Sequence, residues 1–292
     1  MTTKIGIAKG NDKGPVIMGA TLQNMKLSYP VSVPDHNVQV SAFTGDLEEN
    51  FRAISELGYT GIELLVREPK KVSTKVVSSL LDKYNLEISA IGTSPMQIQD
   101  KLFLLHEDSE NREEALKRCK DLIGLAAYFQ VPALVGKYRG NISENIHCTK
   151  DALNRIFYKI CEYAAKFNIN ILMEPQNMNN INNLNTVSES LEWIDELKLQ
   201  NLGLLLDTYH MGYTEDSIID SIIKAKDKIG FIHMADTDRM VPGFGTLPIR
   251  DILCTLEAIK YKGYISMEIK QIPDSLTVAK LSYEALQYIT HI

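Results

Sequence analysis

The chain has 292 residues, 45% of them hydrophobic and 23% charged, a composition typical of a soluble globular protein with a large core. Its formal net charge is -6, so the sequence lacks the basic character of nucleic-acid-binding proteins. No segment is apolar over the length that spans a bilayer, and the first residues lack the apolar run of a signal peptide. We therefore expect a cytoplasmic protein that binds neither nucleic acid nor membrane.

Four cysteines are scattered along the chain without a C-x-x-C pair. Cys119 and Cys161 fall on the apolar faces of predicted helices, so we expect buried, free thiols. This pattern agrees with a reducing compartment.

Strands and helices alternate along the chain after residues 1–25. Short continuous apolar runs define the strands, and apolar residues at helical spacing define the helices. The predicted strands are residues 26–33, 61–66, 86–92, a segment within 132–140, 169–175, 201–207, 231–236 and 264–269. The predicted helices are residues 46–57, 73–84, 109–129, 151–167, 186–197, 214–228, 249–260 and 274–289. Pro30 weakens the prediction of the first strand.

The eight strand–helix units predict a closed barrel. Continuous apolar strands are typical of parallel sheets that are buried on both faces, and no linker or charge block divides the chain. We expect a single (β/α)8 TIM barrel over residues 26–292, with residues 1–25 as an N-terminal extension or cap. The alternative is a doubly wound open sheet, which is expected to have a glycine-rich phosphate loop after an early strand, and none is present.

The segment GFIHMADTDRMVPGFG joins a strand end to a tightly turning polar loop. His233 lies where a buried strand ends, and Asp236, Asp238 and Arg239 follow within six residues. Proline and glycine residues then bend the loop. A histidine in this setting suits either a metal site with a polar substrate or a hydrogen-bonded turn. Ligands at other strand ends decide between these interpretations.

Three other predicted strands also end in an ionisable residue: Glu174, Asp207 and Glu268. The C-terminal ends of barrel strands face one side, so these side chains should converge with His233. A salt bridge or a helix N-cap is the alternative for any single acid. Three carboxylates in one pocket, however, repel each other unless a cation lies among them. Oxygen ligands with one imidazole suit Mn²⁺, Mg²⁺ or Co²⁺ better than a thiolate-preferring metal.

The motifs EPQN, DTYHM, HMADTDRMVPGFG and ISMEI, in this order, are similar to those of the xylose isomerase-like barrels. Within that family the chain resembles the D-tagatose 3-epimerase and sugar-phosphate isomerase/epimerase group, over roughly residues 40–292. The resemblance implies one divalent ion, with Mn²⁺ preferred over Mg²⁺, Co²⁺ or Zn²⁺, held by Glu174, Asp207, His233 and Glu268. It also implies that Glu174 and Glu268 are the acid/base pair, and that His210 and Arg239 bind the ketose oxygens.

The implied activity is that of an isomerase of carbohydrate metabolism, an epimerase or isomerase of a small ketose or ketose phosphate. Removal of a proton next to a carbonyl needs a base and a cation that stabilises the enediolate oxygen. The family pattern continues E-x-x-N-R-[FY]-E, whereas residues 174–180 read EPQNMNN. Asn180 therefore replaces a substrate-contacting glutamate, and the identity of the sugar does not follow from the resemblance.

Other functions use a similar site. A keto-polyol (inosose-type) dehydratase or an aldose–ketose isomerase shares the enolisation step and the metal. A non-enzymatic sugar-binding barrel would not need all four ligands and His210. The trinuclear-zinc DNA endonucleases are excluded for two reasons. They have a D-R-H triplet where this chain has Asp238-Arg239-Met240, and the third strand of this chain ends without a histidine.

A few further residues have two interpretations. Lys137 and Arg139, after the fourth strand, could hold a phosphate or another anion, although a solvated basic pair is favoured. Glu63 could line the pocket, although a structural ion pair is favoured. Trp193, the only tryptophan, is expected to pack in the core. The oligomeric state is left open, and a homo-oligomer is compatible with the sequence.

Overall fold

The computed structural model describes residues 25–291. In this part of the chain, eight parallel strands pair in chain order and β1 pairs with β8, so that the sheet closes into a barrel. The strands are β1 (Lys26–Ser32), β2 (Gly61–Leu65), β3 (Glu87–Gly92), β4 (Ala133–Val135), β5 (Ile171–Met173), β6 (Leu202–Asp207), β7 (Ile229–His233) and β8 (Tyr264–Ser266). The predicted TIM barrel is confirmed, and the open sheet is not observed. Pro30 lies within β1, which pairs in parallel with β2.

Helices separate the strands and cover the barrel. Those of residues 25–291 are α1 (Leu47–Glu56), α2 (Thr74–Tyr84), α3 (Ser94–Asp100), α4 (Ser109–Phe129), α5 (Lys150–Ala165), α6 (Val187–Leu197), α7 (Thr208–Thr214), α8 (Ile218–Ala225), α9 (Ile249–Ala258) and α10 (Ser275–His291). None of them has the length and apolarity needed to cross a membrane. The expected N-terminal extension, residues 1–25, lies outside the described residues except for Met25.

The helix predicted over residues 214–228 is wrong at its start and end. Within this segment the helix α8 covers only Ile218–Ala225, and a separate short helix, α7, lies before it, directly after β6. Asp207 caps α7 by accepting a hydrogen bond from the backbone N–H of Tyr209 at 2.8 Å, and the side chains of His210 and Met211 are buried. Capping and burial therefore start a helix that apolar spacing alone does not indicate. The connection after β3 likewise contains α3, which the sequence analysis did not predict.

The core has two layers. Inward-facing residues of six strands form a small cluster that fills the barrel interior: Ala90, Leu134, Leu172, Leu205, Phe231 and Tyr264. A larger cluster packs the outer strand faces against the helices and includes Trp193, which is buried as expected. Cys119 and Cys161 belong to this layer and are free thiols, as predicted. Burial raises the pKa of each thiol to about 12.

Candidate metal centre

The four predicted metal ligands lie together at the C-terminal ends of the strands. Glu174, Asp207, His233 and Glu268 each offer one ligand atom, and all these atoms lie within 4.8 Å of one another. The first three are buried, and the Glu268 side chain is 18% exposed. The sequence analysis predicted this convergence, and the structure confirms it.

The alternation of strand side chains explains why these residues meet. Successive residues of a strand point to opposite faces, so a residue two positions beyond an inward-facing side chain also points inward. Glu174, Asp207 and His233 each come two positions after a member of the interior cluster, and Glu268 comes four positions after Tyr264. The polar centre therefore lies directly above the apolar interior cluster, which separates it from water on that side.

Three buried atoms at the centre make no hydrogen bond within the described chain: Glu174 Oε1, Asp207 Oδ2 and His233 Nδ1. His233 Nδ1 lies 3.0 Å from Glu268 Oε2 and 3.7 Å from Glu174 Oε1, but neither contact has hydrogen-bond geometry. An unsatisfied buried polar atom costs about 1–3 kcal/mol. Three such atoms facing one another are suited to a hard divalent cation, which would bind all of them at once. The residues present therefore fit the implied metal ion.

Burial and charge act in opposite directions on these groups. Burial disfavours ionisation of Glu268, but Arg239 and His233 outweigh it and hold the pKa of this carboxyl well below its usual value. The same balance, set by His233 and His210, lowers the pKa of Glu174. For Asp207, burial outweighs the attraction of Arg239 and raises the pKa. A bound divalent cation would favour the ionised form of all three carboxyls.

Glu63 contacts the His233 ring at Nε2, the ring nitrogen that points away from Glu174 and Glu268. Its Oε2 atom lies 3.0 Å from His233 Nε2 and accepts a hydrogen bond from Ser266 Oγ at 2.7 Å. Burial disfavours a charged imidazole, but Glu63 and Glu268 outweigh it and raise the pKa of His233 well above its usual value. The predicted ion pair of Glu63 is confirmed, and Glu63 also lines the cavity above the centre. Its partner, from a strand far away in the sequence, could not be predicted.

Arg239 lies against two of the candidate ligand carboxylates. Its Nη1 donates to Glu268 Oε2 at 2.7 Å, and its Nη2 lies 2.9 Å from Asp207 Oδ2. The guanidinium carbon also stands over the ring of Tyr209, 4.5 Å from its centre. Burial disfavours the charged form, but the carboxylates outweigh it and raise the pKa of Arg239. Arg239 is therefore positively charged, and it lies beside the candidate ligands, where the sequence analysis expected it.

His210 is buried on α7 and points its ring at the same centre. The backbone N–H of Asn177 donates to His210 Nδ1 at 3.4 Å, and the Asn177 amide nitrogen lies 2.9 Å from the same atom. Arg239 Nη2 lies 3.2 Å from the other ring nitrogen, Nε2, so donor groups face both nitrogens of the ring. Nε2 lies 3.8 Å from Asp207 Oδ2 and 3.9 Å from Glu174 Oε1. The sequence analysis gave Asn177 no role, although its position in the EPQN motif was the available signal.

A cavity of about 310 Å³ opens above the centre. Besides Glu63, Glu174, His233, Arg239 and Glu268, its lining includes Thr93, Ser94, Gln97, Gly136, Lys137, Gln176 and Asn180. A side chain at Gly136 would not fit, because its Cβ atom would lie 2.3 Å from Glu174 Oε2. The backbone after β4 therefore lies directly against the Glu174 carboxylate.

Arg139 does not line this cavity. It is fully buried, and its guanidinium donates to the backbone oxygens of Gly136, Glu174 and Asn183 and to the Asn183 side chain. Both sequence interpretations are wrong for Arg139, because it neither faces a ligand nor lies in solvent. Lys137 alone of the two basic residues faces the cavity.

Comparison with known proteins agrees with the barrel fold. A family model described as a xylose isomerase-like TIM barrel matches residues 51–289. The L-ribulose 3-epimerase of Methylomonas sp. (strain DH-1) is 30% identical over 220 residues, 72% of this chain and 74% of that protein. The 3-dehydro-D-guloside 4-epimerase of Escherichia coli (strain K12) is 25% identical over 240 residues, 77% of this chain and 88% of that protein.

A solved structure shows the same fold. The D-allulose 3-epimerase from Methylomonas sp., in complex with D-allulose, aligns with a TM-score of 0.73 at 21% identity. The alignment covers 90% of this chain and 97% of that chain. From the match of the family model over residues 51–289, the chain belongs to the xylose isomerase-like TIM barrel family.

Proposed function

We propose that the protein is a divalent-metal-dependent epimerase or isomerase of a ketose or a ketose derivative. The observation that carries this proposal is the convergence of three carboxylates and one imidazole within 4.8 Å, at the floor of a cavity. The relatives named above are sugar epimerases, which supports an isomerase. They act at carbon 3 and at carbon 4, so the reacting carbon of the substrate does not follow from the family. An inosose-type dehydratase and a sugar-binding barrel have no comparable support.

Glu174, Asp207, His233 and Glu268 would hold the metal ion. Such an ion supplies Lewis-acid polarisation of a carbonyl and stabilises the negative charge that develops on its oxygen. Glu174 and Glu268 follow β5 and β8, so their carboxylates reach the centre from different sides of the barrel. One removes the proton next to the carbonyl, and the other returns a proton to the opposite face.

His210 and Arg239 are placed to bind substrate oxygens. His210 Nε2 lies 3.2 Å from Arg239 Nη2, within hydrogen-bond distance, so the imidazole and the guanidinium meet above the candidate ligand carboxylates. A substrate oxygen that enters between them can accept from the guanidinium and, in the Nε2–H tautomer, from the imidazole, so that both groups become donors to it. A carbonyl oxygen that becomes anionic during enolisation is such an acceptor, and it gains most from the donors when its charge develops.

The remaining features of the proposal rest on the sequence and the donor set. We propose Mn²⁺ as the preferred ion, because oxygen donors dominate the set. We also propose that residues 1–25 form an addition outside the barrel of residues 26–292. The cytoplasmic location and the absence of nucleic-acid partners stay predictions, and the oligomeric state is left open.

The proposal is tested with the purified protein loaded with Mn²⁺ and a panel of ketoses in D₂O. We expect one ketose to form its epimer while deuterium enters at the inverted carbon, both observed by NMR. Treatment with EDTA should abolish both signals, and Mn²⁺ should restore them. Deuterium entry with loss of water would instead identify a dehydratase. No exchange with any ketose, keto-polyol or sugar phosphate would contradict the proposal.

A further inference from the structure

Charged side chains are distributed unevenly along the lining of the cavity above the candidate metal centre. Its carboxylates belong to the centre or contact it directly: Glu63, Glu174 and Glu268. Apart from His233 and the two basic residues Lys137 and Arg239, the other polar side chains of the lining are neutral: Thr93, Ser94, Gln97, Tyr138, Gln176 and Asn180. Negative charge is therefore confined to the part of the cavity that the metal ion would neutralise.

Lys137 and Arg239 both line the cavity, and only Arg239 is paired with carboxylates. Arg239 contacts Glu268 Oε2 at 2.7 Å and Asp207 Oδ2 at 2.9 Å. The ammonium group of Lys137 has no ion pair and no hydrogen bond with any residue between 25 and 291. Lys137 is partly buried, and its charge is available to a ligand without the loss of an existing ion pair.

The backbone at Lys137 is held firmly. Arg139 Nη1 donates to the oxygens of Gly136 and Glu174 at 3.0 and 2.9 Å, and Tyr138 accepts from the backbone N–H of Leu104 at 2.9 Å. Gly136 allows this turn to lie against the Glu174 carboxylate. The Lys137 side chain thus starts from a fixed point next to the centre and carries its charge on a flexible four-carbon stem.

We propose that Lys137 binds an anionic group, a phosphate or a carboxylate, at the end of the ketose that is remote from the reacting carbons. This inference rests on the proposed function, because it assumes that a ketose occupies the cavity. A partly buried ammonium gains more from a charged acceptor than from a hydroxyl, and the neutral amides and hydroxyls around it can bind the other oxygens. The substrate is then an acidic sugar derivative, not a neutral ketose.

Three sugars that differ only at carbon 6 test the inference: D-fructose, D-fructose 6-phosphate and D-fructuronate. Turnover and binding are measured with the Mn²⁺-loaded wild type, with Lys137→Met and with Lys270→Met as the matched control. Lys270 is exposed and lines a neighbouring cavity that includes Arg239 and Glu268. The control therefore removes the same charge from the same end of the barrel.

We expect one of the two anionic sugars to have a higher kcat/KM than D-fructose, and its identity distinguishes a phosphate from a carboxylate. Lys137→Met should lower that kcat/KM by about 10- to 100-fold, the range expected for a lost hydrogen bond to a charged group, and should leave D-fructose unchanged. Lys270→Met should change none of the three. Equal losses in both variants, or a preference for D-fructose, would overturn the inference while the proposed function stands.

Calorimetric titration with inorganic phosphate separates the inference from the proposed function. We expect Lys137→Met to weaken phosphate binding to the Mn²⁺-loaded protein about tenfold or more, relative to wild type and to Lys270→Met. If no ketose is turned over but phosphate binding still depends on Lys137, the proposed function fails and the anion site stands. Phosphate affinity that is the same in all three proteins, or absent in all three, would overturn the inference.

Discussion

Glu63 Oε2 lies 3.0 Å from Nε2 of His233, although the two residues are 170 positions apart in the sequence. The closed barrel brings β2 and β7 to opposite sides of one centre, and Ser266 Oγ fixes the same carboxylate oxygen at 2.7 Å. A carboxylate behind a ligating imidazole sets the orientation of its ring and its tautomer, and raises its basicity as a ligand. In this protein the contact leaves Nδ1 of His233 facing the carboxylates of Glu174 and Glu268.

Glu63→Gln should therefore weaken metal binding without removing a ligand. We expect the affinity for Mn²⁺ to fall about 10- to 100-fold, the usual effect of losing such a partner. Isothermal titration calorimetry of the metal-free protein with Mn²⁺ measures this directly. Glu87→Gln is the control, because Glu87 is an exposed strand glutamate at the N-terminal end of β3. An Mn²⁺ affinity of Glu63→Gln equal to that of the control would show that Glu63 does not support the metal site.

Binding of Mn²⁺ should stabilise the fold, because it satisfies buried atoms that otherwise lack hydrogen bonds. At a free Mn²⁺ concentration 100 times the Kd, the expected gain in unfolding free energy is about 2.7 kcal/mol. For a domain of this size that gain raises Tm by several degrees, at about 2–4 °C per kcal/mol. Differential scanning calorimetry with EDTA and with Mn²⁺ checks this prediction. Asp207→Asn should show a smaller shift, and an identical shift in wild type and variant would mean that the ion binds elsewhere.

Asp100 provides a pH-dependent contribution to stability away from the site. Burial disfavours its ionisation, but hydrogen bonds from Arg67, at 2.9 and 2.7 Å, and from Arg118 outweigh this and lower its pKa. A lowered folded pKa stabilises the protein above the unfolded value, about 3.9, and the gain is lost as pH falls through the folded pKa.

We therefore expect Asp100→Asn to be less stable than wild type at pH 7 by about 1–3 kcal/mol, with the difference shrinking below pH 4. Urea unfolding at several pH values measures both effects. Asp195→Asn, at an exposed helix position, should change the unfolding free energy by less than about 0.5 kcal/mol. A stability difference for Asp100→Asn that is constant from pH 3 to pH 7 would contradict the role of its charge.

The barrel and the convergence of the four candidate ligands were predictable because both depend on short-range periodicity. Parallel strands place their C-terminal ends on one side, so a single ionisable residue after each apolar run identifies Glu174 and His233. Residues whose roles depend on distant partners were not predictable. Arg139 is buried because Asn183, 44 positions away, accepts its hydrogen bonds, and no local pattern indicates that contact. The α7 helix, which carries His210, depends on capping by Asp207 and on burial, and neither appears in apolar spacing.

The central claim is that Glu174 and Glu268 move protons on opposite faces of the substrate. Replacement of either by Gln keeps an oxygen ligand and nearly the same volume but removes the basic carboxylate, so turnover should fall about 10²–10⁴-fold while metal is retained. The most direct measurement is NMR in D₂O of proton exchange and inversion on the ketose that the wild type turns over, with both variants loaded with Mn²⁺. The account predicts that each variant loses inversion. Inversion at the wild-type rate in both variants would contradict it.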